Sequence, residues 1–291
     1  MAKYLDPKAD LTFKKVFGEH KELLISFLNA MLPLPEGKTI ESIEYMSPEL
    51  VPANPEKKDT IVDVRCTDKD GRNFIVEMQM YWTDAFKKRV LLNTSKAYSL
   101  PVSKGQKYNE LKPIYSLSLV NDIAFPELED FYHVYEITNN KHHEYKLEDM
   151  VFVFIELPKF RPSSISEEKL RCLWLRFLTE INEHTKAIDA DLLENKEVSK
   201  AIDLVEQSAY TDAELYTIDR YWDAVSRERT SLEEKYGLGF TNGEAHGHAE
   251  GLTEGLMEGK RLVAKNMKDK GMDFAVIADV TGLSLDEIKN A

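Results

Sequence analysis

At 291 residues, with 43% hydrophobic content and only two cysteines, the chain can bury a substantial core and is too poor in cysteine for a disulfide framework or a cysteine zinc site. No stretch approaches the roughly 18 consecutive apolar residues of a membrane span, and the polar start MAKYLDPKAD lacks the apolar run of a secretory signal, so a soluble, cytoplasmic protein is expected. The net charge of −13 speaks against nucleic acid, but residues 1–120 sum to +2 and the remainder to −15, which leaves DNA binding open for the N-terminal part.

The first elements are helical. Asp10 is expected to cap a short helix in DLTFKKVFG that stops at Gly18, and HKELLISFLNAML carries Leu23, Leu24, Phe27, Leu28 and Met31 at helical spacing up to Pro33. TIESIEYMSPEL reads as a first strand, followed by the loop VPANPEKK. TIVDVRC and NFIVEMQMYW then flank TDKDGR, whose Asp-Gly is a hairpin signal. DAFKKRVLLNTSKAYSL predicts an amphipathic helix through Val90, Leu91, Thr94, Ala97 and Tyr98, ended by Pro101. KPIYSLSLVND, FYHVYEI and MVFVFIEL predict three further strands, giving a mixed α/β domain over 1–160.

Beyond PKFRPSS, apolar residues recur at spacings of three and four, which predicts a helical region over 161–240. A third part, 241–291, begins with Gly243, Gly247, Gly251, Gly255 and Gly259, four residues apart. In a helix each glycine costs roughly 1 kcal/mol against alanine, so the stripe suits either a close helix crossing between copies of the chain or a linker. The chain ends in two or three short helices broken at Gly271 and Gly282, in the outline of a helix-turn-helix. Its last helix, SLDEIKNA, holds two acids and one lysine and is a poor DNA reader.

The hairpin carries the chemistry. A turn near Asp70 sets Asp63 across from Glu77, and the period of two puts Gln79 on the face of Glu77. Opposed carboxylates repel, and burying both ionised costs several kcal/mol unless a cation offsets it. A hard ion such as Mg²⁺ would supply that charge, since it takes one or two carboxylates plus water and a phosphate. The bland reading is a solvated polar face. Ile61, Ile75 and Tyr81 are expected on the same face, which favours a partly buried pocket. Cys66 falls on the opposite face and reads as core. The pairs His142, His143 and His246, His248 lack metal-binding spacing, and no glycine-rich phosphate loop is present, so no nucleotide cofactor is expected.

YLDPKADLTFKKVFG, Asp63 in IVDVRC, Glu77 and Gln79 in IVEMQM, the basic helix that follows and the glycine-striped tail together resemble the Rpn family of recombination-promoting nucleases, transposase-like members of the PD-(D/E)XK superfamily. The resemblance implies a restriction-endonuclease-like mixed sheet flanked by helices, followed by an all-α C-terminal region. It also implies Mg²⁺- or Mn²⁺-dependent hydrolysis of DNA phosphodiesters. The family's motif aspartate falls on Asp63 and its glutamate on Glu77, as catalytic residues and metal ligands. Glu22 is a candidate further ligand. Gln79 stands where the superfamily usually has lysine; it can orient water but is neutral, so Lys87, Lys88 or Lys14 is the expected substitute cation. Lys87, Lys88 and Arg89 are the expected phosphate contacts, and a homodimer is expected because two strands need two sites. The alternative is a weak or inactive nuclease fold serving as a DNA-binding or assembly module.

Overall fold

The computed structural model describes residues 3–50, 60–99, 107–162 and 169–290. The loop VPANPEKK, the Pro101 helix stop and residues 163–168 lie outside the described residues. The chain divides into two compact units, Met1–Val225 and Ser226–Ala291.

The first unit is built on a six-stranded mixed sheet. In chain order the strands are β1 (Ile43–Tyr45), β2 (Glu49–Leu50), β3 (Thr60–Ile61), β4 (Val64–Asp68), β5 (Asn73–Gln79), β6 (Ile114–Val120), β7 (Tyr132–Thr138) and β8 (Lys146–Glu156). The sheet order is β1-β4-β5-β6-β8-β7, while β2 and β3 pair separately. β1, β4 and β5 are antiparallel neighbours, β5, β6 and β8 run parallel, and β7 closes the edge antiparallel to β8. β6, IYSLSLV, is buried at every position, as a parallel strand covered on both faces must be.

Helices cover both faces. α1 (Asp10–Phe13) runs into a π-helical turn, Lys14–Gly18, ahead of α2 (Lys21–Met31), and α3 (Asp84–Ser99) makes the crossover from β5 to the parallel β6. α4 (Lys169–Glu180), α5 (Ala190–Glu194) and α6 (Lys196–Leu204) follow. Although composition sets these helices apart from the sheet, Trp174, Phe177 and Ile202 share one core with Phe17, Phe27, Val76 and Leu117. The rings of Phe17 and Phe27 lie 4.5 Å apart, and Trp174 is 5.5 and 5.6 Å from them. Asp10 is not the expected cap. Ala9 occupies the N-cap, and Asp10 is the first helical residue, 2.7 Å from the Lys14 ammonium.

The β4–β5 hairpin keeps the expected register, with Val64 opposite Val76 and Arg65 opposite Ile75. Its turn is held by the Asp68 carboxylate, which accepts from the Asp70 and Arg72 backbone N–H groups and from Arg72 Nε. Gly71 sits at φ +80°, where a side chain would be strained, and a Cβ there would come within 3.1 Å of Lys112.

In the second unit, the end of α7 (Asp212–Asp269), α8 (Phe274–Thr281) and α9 (Leu285–Asn290) enclose a small cluster of Ala264, Ile277, Leu283 and Ile288. Gly271 and Gly282 break the helices at φ +74° and +68°. Ser284 and Glu287 cap α9 reciprocally. The five striped glycines all lie within the helical span of α7, and a Cβ on any of them would meet nothing within 4 Å. No helix among the described residues is long and apolar enough to cross a membrane.

At the β8 end of the first unit, Glu156 is fully buried. Its carboxylate accepts from the Ala124 and Phe125 N–H groups at 2.7 and 3.2 Å, and lies 2.8 Å from both Lys159 Nζ and His133 Nε2. Burial alone would raise its pKa, but Lys159, the two backbone donors and His133 hold it below the usual value. A depressed carboxylate stabilises the fold above its unfolded pKa and loses that contribution as pH falls through the folded value. Glu156→Gln is expected to cost about 3 kcal/mol at pH 7, because it leaves the largely buried Lys159 ammonium without its counter-charge. The deficit should shrink below pH 4 in urea melts; a cost below about 0.5 kcal/mol would contradict it.

Candidate active site

Asp63 and Glu77 lie at the open end of the hairpin, and the charge of Glu77 acts on Asp63. Asp63 lies in the bend just before β4, so its backbone is outside the strand, and its carboxylate takes over the pairing: Met78 N–H donates to Oδ2 at 2.7 Å. Oδ1 has no hydrogen bond among the described residues. Glu77, on β5, is 4% exposed. Its Oε1 accepts from Asn93 Nδ2 at 3.0 Å, and its Oε2 lies 3.5 Å from Arg89 Nη2; both partners come from α3.

Burial is the main reason the two acids are perturbed. It pushes Asp63 up to about 6, reinforced by the negative charges of Glu77 and Asp10 and opposed by the Met78 N–H and Lys14. Glu77 is also raised by burial, against the pull of Asn93 and Arg89. The pair is therefore short of positive charge.

Gln79 is used at both ends of its amide. Nε2 donates to the Tyr81 carbonyl at 3.0 Å, and Oε1 accepts from Arg89 Nη2 at 2.7 Å. The Arg89 guanidinium also stands 5.0 Å from the Phe86 ring. The cation brought to Gln79 is thus Arg89, expected from sequence only as a phosphate contact. Lys88 is exposed on α3, Lys87 lines a cavity on the other side of that helix, and Lys14 is paired with Asp10 while acting on Asp63 through its charge.

Glu22 is engaged elsewhere: its carboxylate pairs with Lys200 and lies 3.8 Å from His20 Nδ1. Ile61 does not wall the site. The strand breaks after it, β3 pairs with β2, and Ile61 is 63% exposed. Ile75 is buried beside Ala97 and Ile114, Tyr81 is partly buried, and Cys66 is in the core, its thiol pushed up to about 12 by burial.

Two residues of the site were missed from sequence. Asn93 is a wholly buried amide in the apolar stripe of α3, and its place between Val90 and Ala97 was the available signal. Asp10 was taken for a cap. The π-helical turn after it packs against β4, a local widening that recurs at functional sites.

Among the described residues no group of three or more histidine, cysteine, aspartate or glutamate side chains stands together to hold a metal ion. The hard oxygen donors are Asp63 Oδ1 and Glu77 Oε2, the latter 3.5 Å from Arg89 Nη2. That set fits Mg²⁺ or Mn²⁺, which keep most of their shell as water and phosphate, and it fits the shortage of positive charge around the pair.

The family described as PD-(D/E)XK nuclease family transposase matches residues 7–234, a span that holds Asp10, Asp63, Glu77, Gln79, Arg89 and Asn93. No curated protein and no solved structure matches the chain.

With a chelator present, Asp63 holds more protons folded than unfolded between its unfolded pKa, about 3.9, and its folded value, about 6. Its contribution to stability therefore falls as pH rises through that window and stays lost above it. Asp63→Asn can still accept from Met78. It is expected to exceed wild type by about 1–3 kcal/mol at pH 8 and to match it at pH 4. A variant less stable at pH 8 would show that the carboxylate is already compensated.

Proposed function

The chain belongs to the PD-(D/E)XK nuclease family of transposases, and we propose that it is a metal-dependent DNA endonuclease acting in recombination or mobile-element transfer. The observation that carries this reading is the undercompensated pair Asp63 and Glu77, set at the mouth of the hairpin with Arg89 beside it. Asp63 and Glu77 would hold Mg²⁺ or Mn²⁺, which when bound lowers the pKa of water and offsets charge on a phosphoryl oxygen.

The other residues orient and neutralise. Asn93 fixes Glu77 by Oε1, and Oε2 is shared with the Arg89 guanidinium at 3.5 Å. Gln79 fixes Arg89. The guanidinium cannot serve as a base at any physiological pH, but it remains charged and presents a planar fork to phosphate oxygens. It thereby supplies the charge that lysine gives in the superfamily pattern. Lys87 and Lys88, exposed on the same helix, extend the basic surface for the strand on either side. The protein works in the cytoplasm as a homodimer, one site per strand, with the glycine-striped face of α7 as its contact.

Supercoiled plasmid is the direct substrate. Wild type with Mg²⁺ or Mn²⁺ is expected to nick and linearise it, and chelator, Asp63→Ala and Glu77→Ala to abolish both. Arg89→Ala should slow cleavage by about 10²–10³-fold, with partial recovery in Arg89→Lys. Folded wild type that leaves plasmid intact would move the chain to the inactive, assembly-module reading.

A further inference from the structure

On the far side of α3 from Glu77 lies a second site, a cavity of about 220 Å³. Its walls are mainly aromatic, joined by Ile137 and by Glu136, whose carboxylate is paired with Lys146: the Trp82 ring stands 5.3 Å from Phe125 and 5.6 Å from Phe154, and Tyr135 lies 5.8 Å from Phe154. Leu91 and Lys87, one turn apart on α3, form the rim. We infer that this cavity receives a single unpaired nucleobase of the DNA strand being cut, with Lys87 on the adjoining phosphate. The inference rests on the DNA reading above and specifies what that substrate looks like.

Four observations carry it. The volume falls below the roughly 300–1,000 Å³ of ordinary small-molecule sites, so one ring system fits and a larger ligand does not. Aromatic walls hold any base by its π-face, without regard to sequence. The location is linked to the carboxylates through the sheet: Glu77 pairs in register with Ser118, and Ser118 with Phe154, so the cavity floor lies in the same lateral row. Two strand spacings put it about 10 Å from Glu77. Lys87 makes no side-chain hydrogen bond or ion pair among the described residues, so the rim offers a cation that a nucleotide satisfies and an apolar protein side chain does not.

The wall is also built in advance. The buried Glu156 carboxylate holds the Ala124 and Phe125 N–H groups, and the His133 ring meets Phe125 edge-on at 4.9 Å. Ordering this loop therefore costs little when the ligand enters. An unpaired base needs no unpairing before it leaves the stack, which favours bulged or single-stranded junctions over intact duplex.

The test is fluorescence anisotropy of the full-length protein, in chelator, on a labelled duplex with one unpaired nucleotide and on its fully paired counterpart. Wild type is expected to bind the bulged duplex about tenfold tighter. Leu91→Trp, at a half-exposed position, fills the cavity without opening the core. It should bring the two affinities to parity and leave that for paired duplex unchanged, and Tyr135→Ala should reduce the preference. Equal binding by wild type, or a preference that survives in Leu91→Trp, overturns the inference. Plasmid nicking without the preference overturns it alone; absence of both binding and nicking overturns the DNA reading with it.

Discussion

The hydrogen bond from the Met78 N–H to Asp63 Oδ2 sets the geometry of everything else at the site. At the open end of the hairpin it replaces a backbone ladder contact with a side-chain one, and so turns a carboxylate inward beside Glu77. A single neutral donor offsets only part of the cost of burying a charge, which is why Asp63 is pushed up to about 6. Glu77, in the next strand, is raised for the same reason. Both carboxyls are thus harder to ionise than free ones, one held from the bend before β4 and the other from β5, so positive charge brought near them is favoured.

Around that pair the positive charge has been redistributed. The strand supplies a neutral amide at Gln79, and the helix above supplies the guanidinium of Arg89, oriented by that amide. α3 thus works on both of its flanks. Arg89 and Asn93 face the carboxylates, while Lys87 and Leu91 border the aromatic cavity. The buried stripe between the flanks, Phe86, Val90, Thr94 and Ala97, fixes the rotation of the helix and so both sites at once.

Much of the fold was legible in the sequence because strands and hairpins carry local signals. The Asp-Gly turn and the period of two pointed to the Val64–Val76 register; beyond it Asp63 leaves the strand, and its side chain rather than its backbone reaches β5, at Met78. KPIYSLSLVND read as a strand, and β6 is that strand, buried at every position. What could not be read depends on contacts between distant parts of the chain. Glu22 answers to Lys200, 178 positions away. Arg89 reaches Gln79 because α3 takes one rotational phase over β5, and helical periodicity gives the buried stripe but not which flank meets which strand. Ile61 was misplaced because the strand breaks at Val62 and Asp63, where Val62 N–H turns to the Pro48 carbonyl and Asp63 reaches β5 through its side chain. The helices after residue 169 were set apart by composition, yet their apolar faces complete the core begun by Phe17 and Phe27.

The central claim is that Asp63 and Glu77 act jointly as one cation site. Mn²⁺ titration followed by the loss of the free-ion electron paramagnetic resonance signal measures this without DNA or turnover. Wild type is predicted to show saturable binding that weakens at least about tenfold in both Asp63→Asn and Glu77→Gln, with all three proteins folded. Equal Mn²⁺ affinity in the three would contradict the account, because the ion would then be held somewhere other than between these carboxylates.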